Sequence, residues 1–249
     1  MADKYFKAYK SYPLSMKTNN IEYINGGKII LPESGINTLI SIDDDSLLFP
    51  IIMHFKLINL NKNIETYCGL LEFSSDEDSC YLPDWLMKNL QLSIEDIVLI
   101  QYANLNKGEY VKLQPKTIGF IEIKDVQKLL EQNLKYFATL TQGDIIPVKH
   151  NENIYEVLIL EIRPNTNNNK AISLLELETD LKVDLVFESN DHKKSFKLNK
   201  LLNKQDIDKL KSFFNANNNN NNGSRDDKNE KRGQPFYDYS IGLIRLTRK

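Results

Sequence analysis

The residues of this chain that could perform chemistry are few, and their spacing forms no recognised catalytic or metal-binding pattern. The three histidines, His54, His150 and His192, are far apart in the sequence, and no metal-ligand spacing joins them to the cysteines. Neither a Gly-x-Ser-x-Gly nucleophile turn nor a dinucleotide-binding glycine motif occurs. A hydrolase site assembled from distant residues stays open as an alternative, but the pattern favours a non-enzymatic binding protein without a cofactor.

The two cysteines and a run of three aspartates are the other candidates. Cys68 and Cys80 flank one predicted turn, so they could pair across a hairpin. Two cysteines make no disulfide framework, however, and a reducing compartment suits them better, so we expect buried free thiols. Residues 43–45 (Asp-Asp-Asp) lack the alternating spacing of a calcium-binding loop, which favours a solvated loop.

The stretch from Cys68 to Leu90 contains both cysteines and the only tryptophan, and it predicts a strand, a polar turn, a short strand and a helix. Pro83 ends the short strand because it has no N–H for strand pairing, yet proline suits a first helical turn. Asp84 adds a negative charge to that turn. We expect Trp85 to be buried between this helix and a β-barrel sheet.

Many short strands separated by turns surround this stretch, which favours a barrel over a doubly wound sheet. The composition changes near Pro115: residues 125–137 have apolar side chains at helical spacing behind Asp125, a residue type that suits an N-cap, and strands follow. We therefore expect a mainly β protein with an α+β part. Residues 1–115 would form the barrel, 116–190 a small α+β subdomain and 191–249 a largely disordered tail.

The distribution of charge argues against some classes of partner. The chain carries a net charge of −2, but residues 191–249 hold 14 Lys/Arg and 7 Asp/Glu, whereas the remainder holds 18 and 27. An acidic body with a basic tail is not typical of a nucleic-acid-binding protein. No run of about 18 apolar residues occurs, so no membrane span is expected.

The tail changes from polar to apolar near its end. Residues 217–222 are all asparagine and 223–232 are mostly charged, so we expect disorder there, because little apolar surface could be buried. Apolar side chains return at 235–246, which is typical of a segment that folds on binding a partner. The alternative is a strand that returns to the barrel. Docking on a partner instead predicts that truncation after Arg232 leaves the melting temperature unchanged.

Six segments, in the same order, resemble the ubiquitin fusion degradation protein 1 family over roughly residues 5–188. Two are Cys-Gly-Leu-Leu-Glu-Phe at 68–73 and Cys-Tyr-Leu-Pro-x-Trp-Leu-Met-x-Asn-Leu at 80–90. The others are Gly-Gly-Lys-Ile-Ile-Leu-Pro at 26–32, Phe-Lys-Leu at 55–57, Lys-Leu-Gln-Pro at 112–115 and the segment 133–146, which begins Asn-Leu-Lys-Tyr-Phe. The ordered set carries the resemblance, rather than any one match.

The resemblance implies a double-psi β-barrel, a small α+β subdomain and a ubiquitin-binding adaptor. Members of this family pair with nuclear protein localisation protein 4 and deliver polyubiquitylated proteins to the valosin-containing protein AAA ATPase for unfolding and proteasomal degradation, including ER-associated degradation. The resemblance thus implies a cytoplasmic and nuclear protein that reaches the ER surface through partners. It does not identify the residues that contact ubiquitin. An enzyme or small-molecule-binding protein on a double-psi barrel is the alternative, because fold does not fix function.

Residues 231–246 resemble the segment by which the family binds its heterodimer partner. The residues that this implies for partner docking are Pro235, Phe236, Tyr237, Tyr239, Ile241, Gly242 and Ile244. The family's short ATPase-binding motif, Phe-x-Gly-x-Gly-x-x-Leu, does not occur in the 249 residues, and the nearest candidate, at 214–217, lacks both glycines. The resemblance therefore leaves open whether the ATPase is bound directly or through the partner.

Overall fold

The computed structural model describes residues 5–40, 53–165, 170–174, 178–188 and 236–247. The strands in these residues are β1 (Phe6–Pro13), β2 (Lys28–Pro32), β3 (His54–Asn59), β4 (Ile64–Ser75), β5 (Ser79–Leu82), β6 (Ile97–Ala103), β7 (Tyr110–Pro115), β8 (Thr139–Thr141), β9 (Ile145–His150), β10 (Asn153–Arg163), β11 (Ala171–Ser173), β12 (Glu178–Glu188) and β13 (Phe236–Thr247). The helices are α1 (Ile21–Ile24), α2 (Ser34–Ile40), α3 (Asp84–Leu90) and α4 (Val126–Leu134), with 3-10 turns at Leu14–Met16 and Ile118–Glu122.

Six strands close into a barrel in the order β1-β5-β2-β4-β3-β6. β1 pairs with β5, and β2 with β4, in parallel, while the other neighbouring strands are antiparallel. Successive side chains of a strand lie on opposite faces, so Phe55 and Leu57 of β3, and Val98 and Ile100 of β6, all point into the core and are fully buried. This arrangement confirms the predicted double-psi β-barrel.

A five-stranded sheet in the order β13-β12-β7-β10-β9 and a two-stranded sheet of β11 and β8 form the second part, together with α4. The predicted α+β subdomain is therefore also confirmed. β7, which the sequence analysis assigned to the barrel, lies in this sheet between β12 and β10. The barrel thus ends before β7 rather than at Pro115, because the apolar pattern of a segment predicts a strand but does not say in which sheet it pairs.

Both predicted helix starts agree with the structure. α3 begins at Asp84, directly after Pro83. α4 begins after Asp125, whose side chain accepts a hydrogen bond from the backbone N–H of Lys128 at 3.0 Å. An acceptor at this position satisfies one of the N–H groups that have no partner within the first turn of a helix.

Several predicted features lie outside the described residues. They are the aspartate loop at 43–45, His192, the asparagine run at 217–222 and the charged segment at 223–232 with its expected disorder. Met1–Leu185 with Tyr239–Lys249 form one compact unit, and Val186–Asp238 separate as a second, of which 186–188 and 236–238 are described. Among the described residues, no helix is both long enough and apolar enough to cross a membrane.

Candidate functional site

The segment predicted to dock on a partner is a strand of the folded body. β13 lies at the edge of the five-stranded sheet, next to β12. Its backbone includes Phe236, Tyr237 and Tyr239, whereas Pro235 lies outside the described residues. The segment therefore returns to the body, and it does so in the sheet that follows the barrel rather than in the barrel itself.

Two side chains of β13 belong to the core. Ile244 is fully buried and Leu246 is 1% exposed, while Ile241 is half-buried. Gly242 has a φ of +93°, a conformation that glycine adopts without strain. The expectation that truncation after Arg232 removes no core contact is thus corrected. An apolar extended segment can pair with its own sheet as well as with a partner, and the sequence pattern is the same in both cases.

Polar contacts hold β13 beside α4 and β12. The side chain of Gln127 on α4 donates to the backbone carbonyl of Leu243 at 3.0 Å. Nε of Arg245 donates to the carboxylate of Asp180 on β12, also at 3.0 Å. The ion pair is solvent-exposed and adds little free energy. The Gln127 bond does more for specificity, because it occupies a backbone acceptor of an edge strand, where another chain could otherwise add.

Trp85 packs against the barrel core as predicted, but it is half-buried rather than buried. Its indole N–H donates to the backbone carbonyl of Gly26 at 2.8 Å, and its ring centroid lies 5.6 Å from that of Phe137. Phe137 follows α4, so the tryptophan joins the barrel to the second part of the fold. Trp85 also lines a surface groove, which explains why it stays partly exposed.

This groove has a volume of about 300 Å³ and lies between α3 and the strands β9 and β10. Its lining is largely apolar and includes Ile21, Trp85 and Ile154. Lys88 and Glu156, whose charged groups lie 2.7 Å apart, form an exposed ion pair beside it. An apolar groove with few polar groups can receive an apolar side chain of a partner.

The two cysteines and one histidine, His54, are buried inside the fold. Cys68 and Cys80 are free and fully buried in the barrel core, which confirms free thiols over a hairpin disulfide. Burial raises the pKa of both thiols, so they stay protonated near neutral pH. Nε2 of His54 lies 2.9 Å from Oγ of Ser173, and both residues are buried. In the described part of the chain, no three His, Cys, Asp or Glu side chains come together to hold a metal ion.

A buried polar cluster joins the barrel to the second part of the fold. Its members are Thr66, Thr139, Thr141 and Asp144, and we call it the seam cluster. The Thr66 hydroxyl, on β4, donates to the Asp144 carboxyl group at 2.5 Å and lies 3.2 Å from the Thr141 hydroxyl. The Thr139 hydroxyl donates to the backbone carbonyl of Tyr67 at 2.8 Å. Because these groups are buried, breaking one of the bonds would leave a polar group without a partner.

Burial raises the pKa of Asp144 to about 7, and the hydrogen bond from Thr66 opposes this shift only in part. Nothing in the sequence around Asp144 marks this residue as buried. Its burial depends on Thr66, which is 78 positions away in the sequence, and no local pattern signals such a pair. The seam cluster is thus a feature that only the fold reveals.

We expect Asp144→Asn to remove a pH dependence of stability. The carboxyl has an ordinary pKa of 3.8 and a folded pKa of about 7, so between these values the folded protein holds a proton that the unfolded chain has lost. This contribution to the free energy of unfolding is fully present below 3.8 and is lost as the pH rises to about 7, by up to ~1.4 kcal/mol per pH unit. Asparagine can still accept the Thr66 bond but does not titrate. Urea unfolding at pH 5 and pH 7 measures the difference, and an equal pH dependence in both proteins would contradict the prediction.

Two family models match the chain and together span residues 5–188. Residues 5–106 match the model for "Ubiquitin fusion degradation protein UFD1, N-terminal subdomain 1", and residues 107–188 match that for N-terminal subdomain 2. The first range contains the six strands of the barrel, and the second contains β7 to β12.

Curated relatives give the same result. Ubiquitin recognition factor in ER-associated degradation protein 1 of Homo sapiens is 35% identical over 185 residues, which cover 73% of this chain and 57% of the relative. The ubiquitin fusion degradation protein 1 homolog of Dictyostelium discoideum is 36% identical (73% and 52% covered), and ubiquitin fusion degradation protein 1 of Saccharomyces cerevisiae is 31% identical (74% and 50%). The chain thus spans about half the length of the curated relatives that it matches. It belongs to the ubiquitin fusion degradation protein 1 family.

Proposed function

We propose that this chain is a non-enzymatic, ubiquitin-binding adaptor. As a heterodimer with nuclear protein localisation protein 4, it recruits polyubiquitylated proteins to the valosin-containing protein AAA ATPase for unfolding and proteasomal degradation, including ER-associated degradation. It acts in the cytoplasm and nucleus and reaches the ER surface through these partners. The observation that carries the proposal is family membership: the 35% identical relative of Homo sapiens is named a ubiquitin recognition factor in ER-associated degradation.

Among the described residues, exposed surfaces that could bind another protein support the proposal better than any reactive group does. The groove beside Trp85 is lined largely by apolar side chains, and its ion pair, Lys88 with Glu156, is open to solvent. The buried titratable groups, such as Asp144 and the two cysteines, lie inside the fold, where a substrate could not reach them. Surfaces of this kind suit the recognition of another protein.

The binding test is a titration of the full chain with ubiquitin and with polyubiquitin. We expect weak binding of the monomer and binding of chains that is tighter by roughly tenfold or more, because linked units raise the effective concentration of the second contact. Fluorescence anisotropy with labelled ubiquitin measures both affinities. Absence of binding to monomer and chains alike would overturn the ubiquitin-binding part of the proposal.

The partners are tested by copurification from native extract. An adaptor should bring down both the ATPase and nuclear protein localisation protein 4. A Tyr237→Ala variant, changed within the segment proposed to dock on the partner, should bring down less of both if the ATPase is reached through that partner, and less of the partner alone if the ATPase is bound directly. Recovery of neither protein with the unchanged chain would favour the alternative of a barrel enzyme or small-molecule-binding protein.

A further inference from the structure

Six apolar residues lie on the outside of the barrel, on strands β1, β3 and β6 or directly after them. They are Phe6, Ala8, Ile58, Leu60, Ile97 and Leu99, and we call this set the apolar outer face. Their direction follows from the alternation of each strand, since neighbours such as Tyr9, Leu57 and Val98 are buried in the core. Outward positions of a solvated sheet are normally polar, so the presence of six apolar residues at such positions needs an explanation.

The strand register places five residues of the apolar outer face in two adjacent rows, while Phe6 lies in the next row along β1, opposite Gln101. Ala8 of β1 and Ile58 of β3 both lie opposite Leu99 of β6, which places the three side chains in one row across the sheet. Ile97 lies two residues before Leu99 and on the same side of β6. Continuing the antiparallel register places Leu60, two residues after Ile58, opposite Ile97. Cross-strand neighbours of this kind have Cβ atoms roughly 4.5–5.5 Å apart, so these side chains touch or nearly touch.

The largest of these side chains are open to solvent. Phe6 is 55% exposed, Ile97 is 52% exposed and Leu60 is 67% exposed. A single exposed apolar residue is ordinary, but a contiguous exposed patch is typical of an interaction surface. The apolar outer face is also separate from the groove beside Trp85, whose lining residues include none of the six.

One end of the apolar outer face is acidic. Glu95 and Asp96 precede Ile97 directly, and both are exposed. Residues 76–78 (Asp-Glu-Asp), also exposed, form the turn beside β1, where the backbone carbonyl of Asp78 accepts from the N–H of Lys10 at 2.8 Å. A partner that covers the apolar side chains would therefore meet five carboxylates and two lysines, Lys10 and Lys62, at this end, and basic side chains at its own rim would complement them.

We propose that ubiquitin binds to the apolar outer face, an inference that rests on the proposed function. The face is a sheet surface and not a cavity, so it fits a folded protein better than a small molecule, which needs a concave site. A second copy of this chain would present the same carboxylates rather than a basic rim, so it would not supply the complementary charge. Nucleic acid is disfavoured by the same charges. The partner that binds there presents an apolar patch with basic side chains at its edge.

The test measures ubiquitin binding to three forms of the full chain. Ile97→Arg removes a largely exposed apolar side chain from the face, next to its acidic end, and adds a positive charge that opposes a basic partner, so the dissociation constant should rise by at least about tenfold. Tyr23→Arg is the matched control, because Tyr23 is 43% exposed on α1 and belongs neither to the apolar outer face nor to the lining of the groove. The control should stay within about twofold of the unchanged chain. Circular dichroism confirms that each variant is folded, and Leu60→Arg, in the turn after β3, replaces Ile97→Arg if that variant does not fold.

The outcomes separate this inference from the proposed function. If the unchanged chain does not bind ubiquitin, the proposed function fails and the inference with it. If the unchanged chain binds and Ile97→Arg binds equally well, the inference alone is overturned. Equal loss of binding in Ile97→Arg and in the control Tyr23→Arg would mean that an added positive charge weakens binding wherever it lies, and would also overturn the inference. A dimer of the unchanged chain that Ile97→Arg dissociates, with ubiquitin binding retained, would assign the face to self-association and would also overturn the inference.

Discussion

Replacing Ile244 with alanine should lower the free energy of unfolding by about 2–5 kcal/mol, the usual cost of truncating a buried aliphatic side chain. Ile244 is fully buried although it lies near the end of the chain, behind a long polar segment. Each kcal/mol lowers the melting temperature of a protein of this size by roughly 2–4 °C. Differential scanning calorimetry of the full chain measures the change.

Leu243→Ala is the matched control for this experiment. Leu243 is the preceding residue of the same strand and is 52% exposed, so its truncation should change the free energy of unfolding by no more than about 0.5 kcal/mol. If Ile244→Ala and Leu243→Ala melt at the same temperature, β13 is not part of the stable body in solution. Truncation after Arg232 should lower the melting temperature at least as much as Ile244→Ala, because Leu246 is lost as well.

The same truncation connects stability with the proposed heterodimer. If residues 231–246 also bind nuclear protein localisation protein 4, the partner must compete with the sheet for an apolar segment that is already buried. The truncated chain should then melt lower and also fail to bind the partner. A lowered melting temperature with full partner binding would show that β13 serves the fold alone.

The elements with strong local signals were predictable from sequence. Pro83 and Asp84 mark the beginning of α3, and Asp125 marks that of α4, because an N-terminal turn depends only on the residues within it. The many short strands indicated a barrel, because the turns that separate them are also signalled by neighbouring residues in the sequence. β7 was assigned to the wrong sheet, since its partners β10 and β12 lie far along the chain and its own residues contain no information about them.

The functional surfaces were less predictable than the fold. The sequence indicated that Trp85 packs against the core, but its half-exposed state depends on the groove, which β9 and β10 complete from more than 50 positions away. The apolar outer face could not be predicted from the sequence for a similar reason. Phe6, Leu60 and Ile97 look like ordinary core residues in sequence, and only the register of β1, β3 and β6 places them together on the outside. Pairing between strands that are distant in the sequence decides which apolar residues stay exposed and are available to bind a partner.

The seam between the barrel and the second part of the fold should be intolerant of a single added methyl group at Gly69. This glycine lies on β4, and its N–H donates to the backbone carbonyl of Gly27 at 3.0 Å. A Cβ at this position would lie 2.2 Å from Cβ of Ala138, a fully buried residue that follows α4. Both atoms are fixed to the backbone, so no side-chain rotation relieves the overlap. We expect Gly69→Ala to lower the free energy of unfolding by ~3 kcal/mol or more, at or above the usual range for overpacking.

A double-mutant cycle shows whether this loss comes from the predicted overlap. Ala138→Gly removes the opposing methyl group and should itself cost ~1–2 kcal/mol, from lost burial and greater backbone freedom. Combined with Gly69→Ala it should be less destabilising than the sum of the two single changes, with an interaction energy of about 1–3 kcal/mol. Gly119→Ala is the control, because its Cβ would lie 3.5 Å from the nearest atom, an ordinary contact. Urea unfolding of the four proteins and the control supplies the free energies. Additive losses would mean that β4 and Ala138 are not packed together in solution, and that the barrel and the second part of the fold can separate without breaking the barrel core.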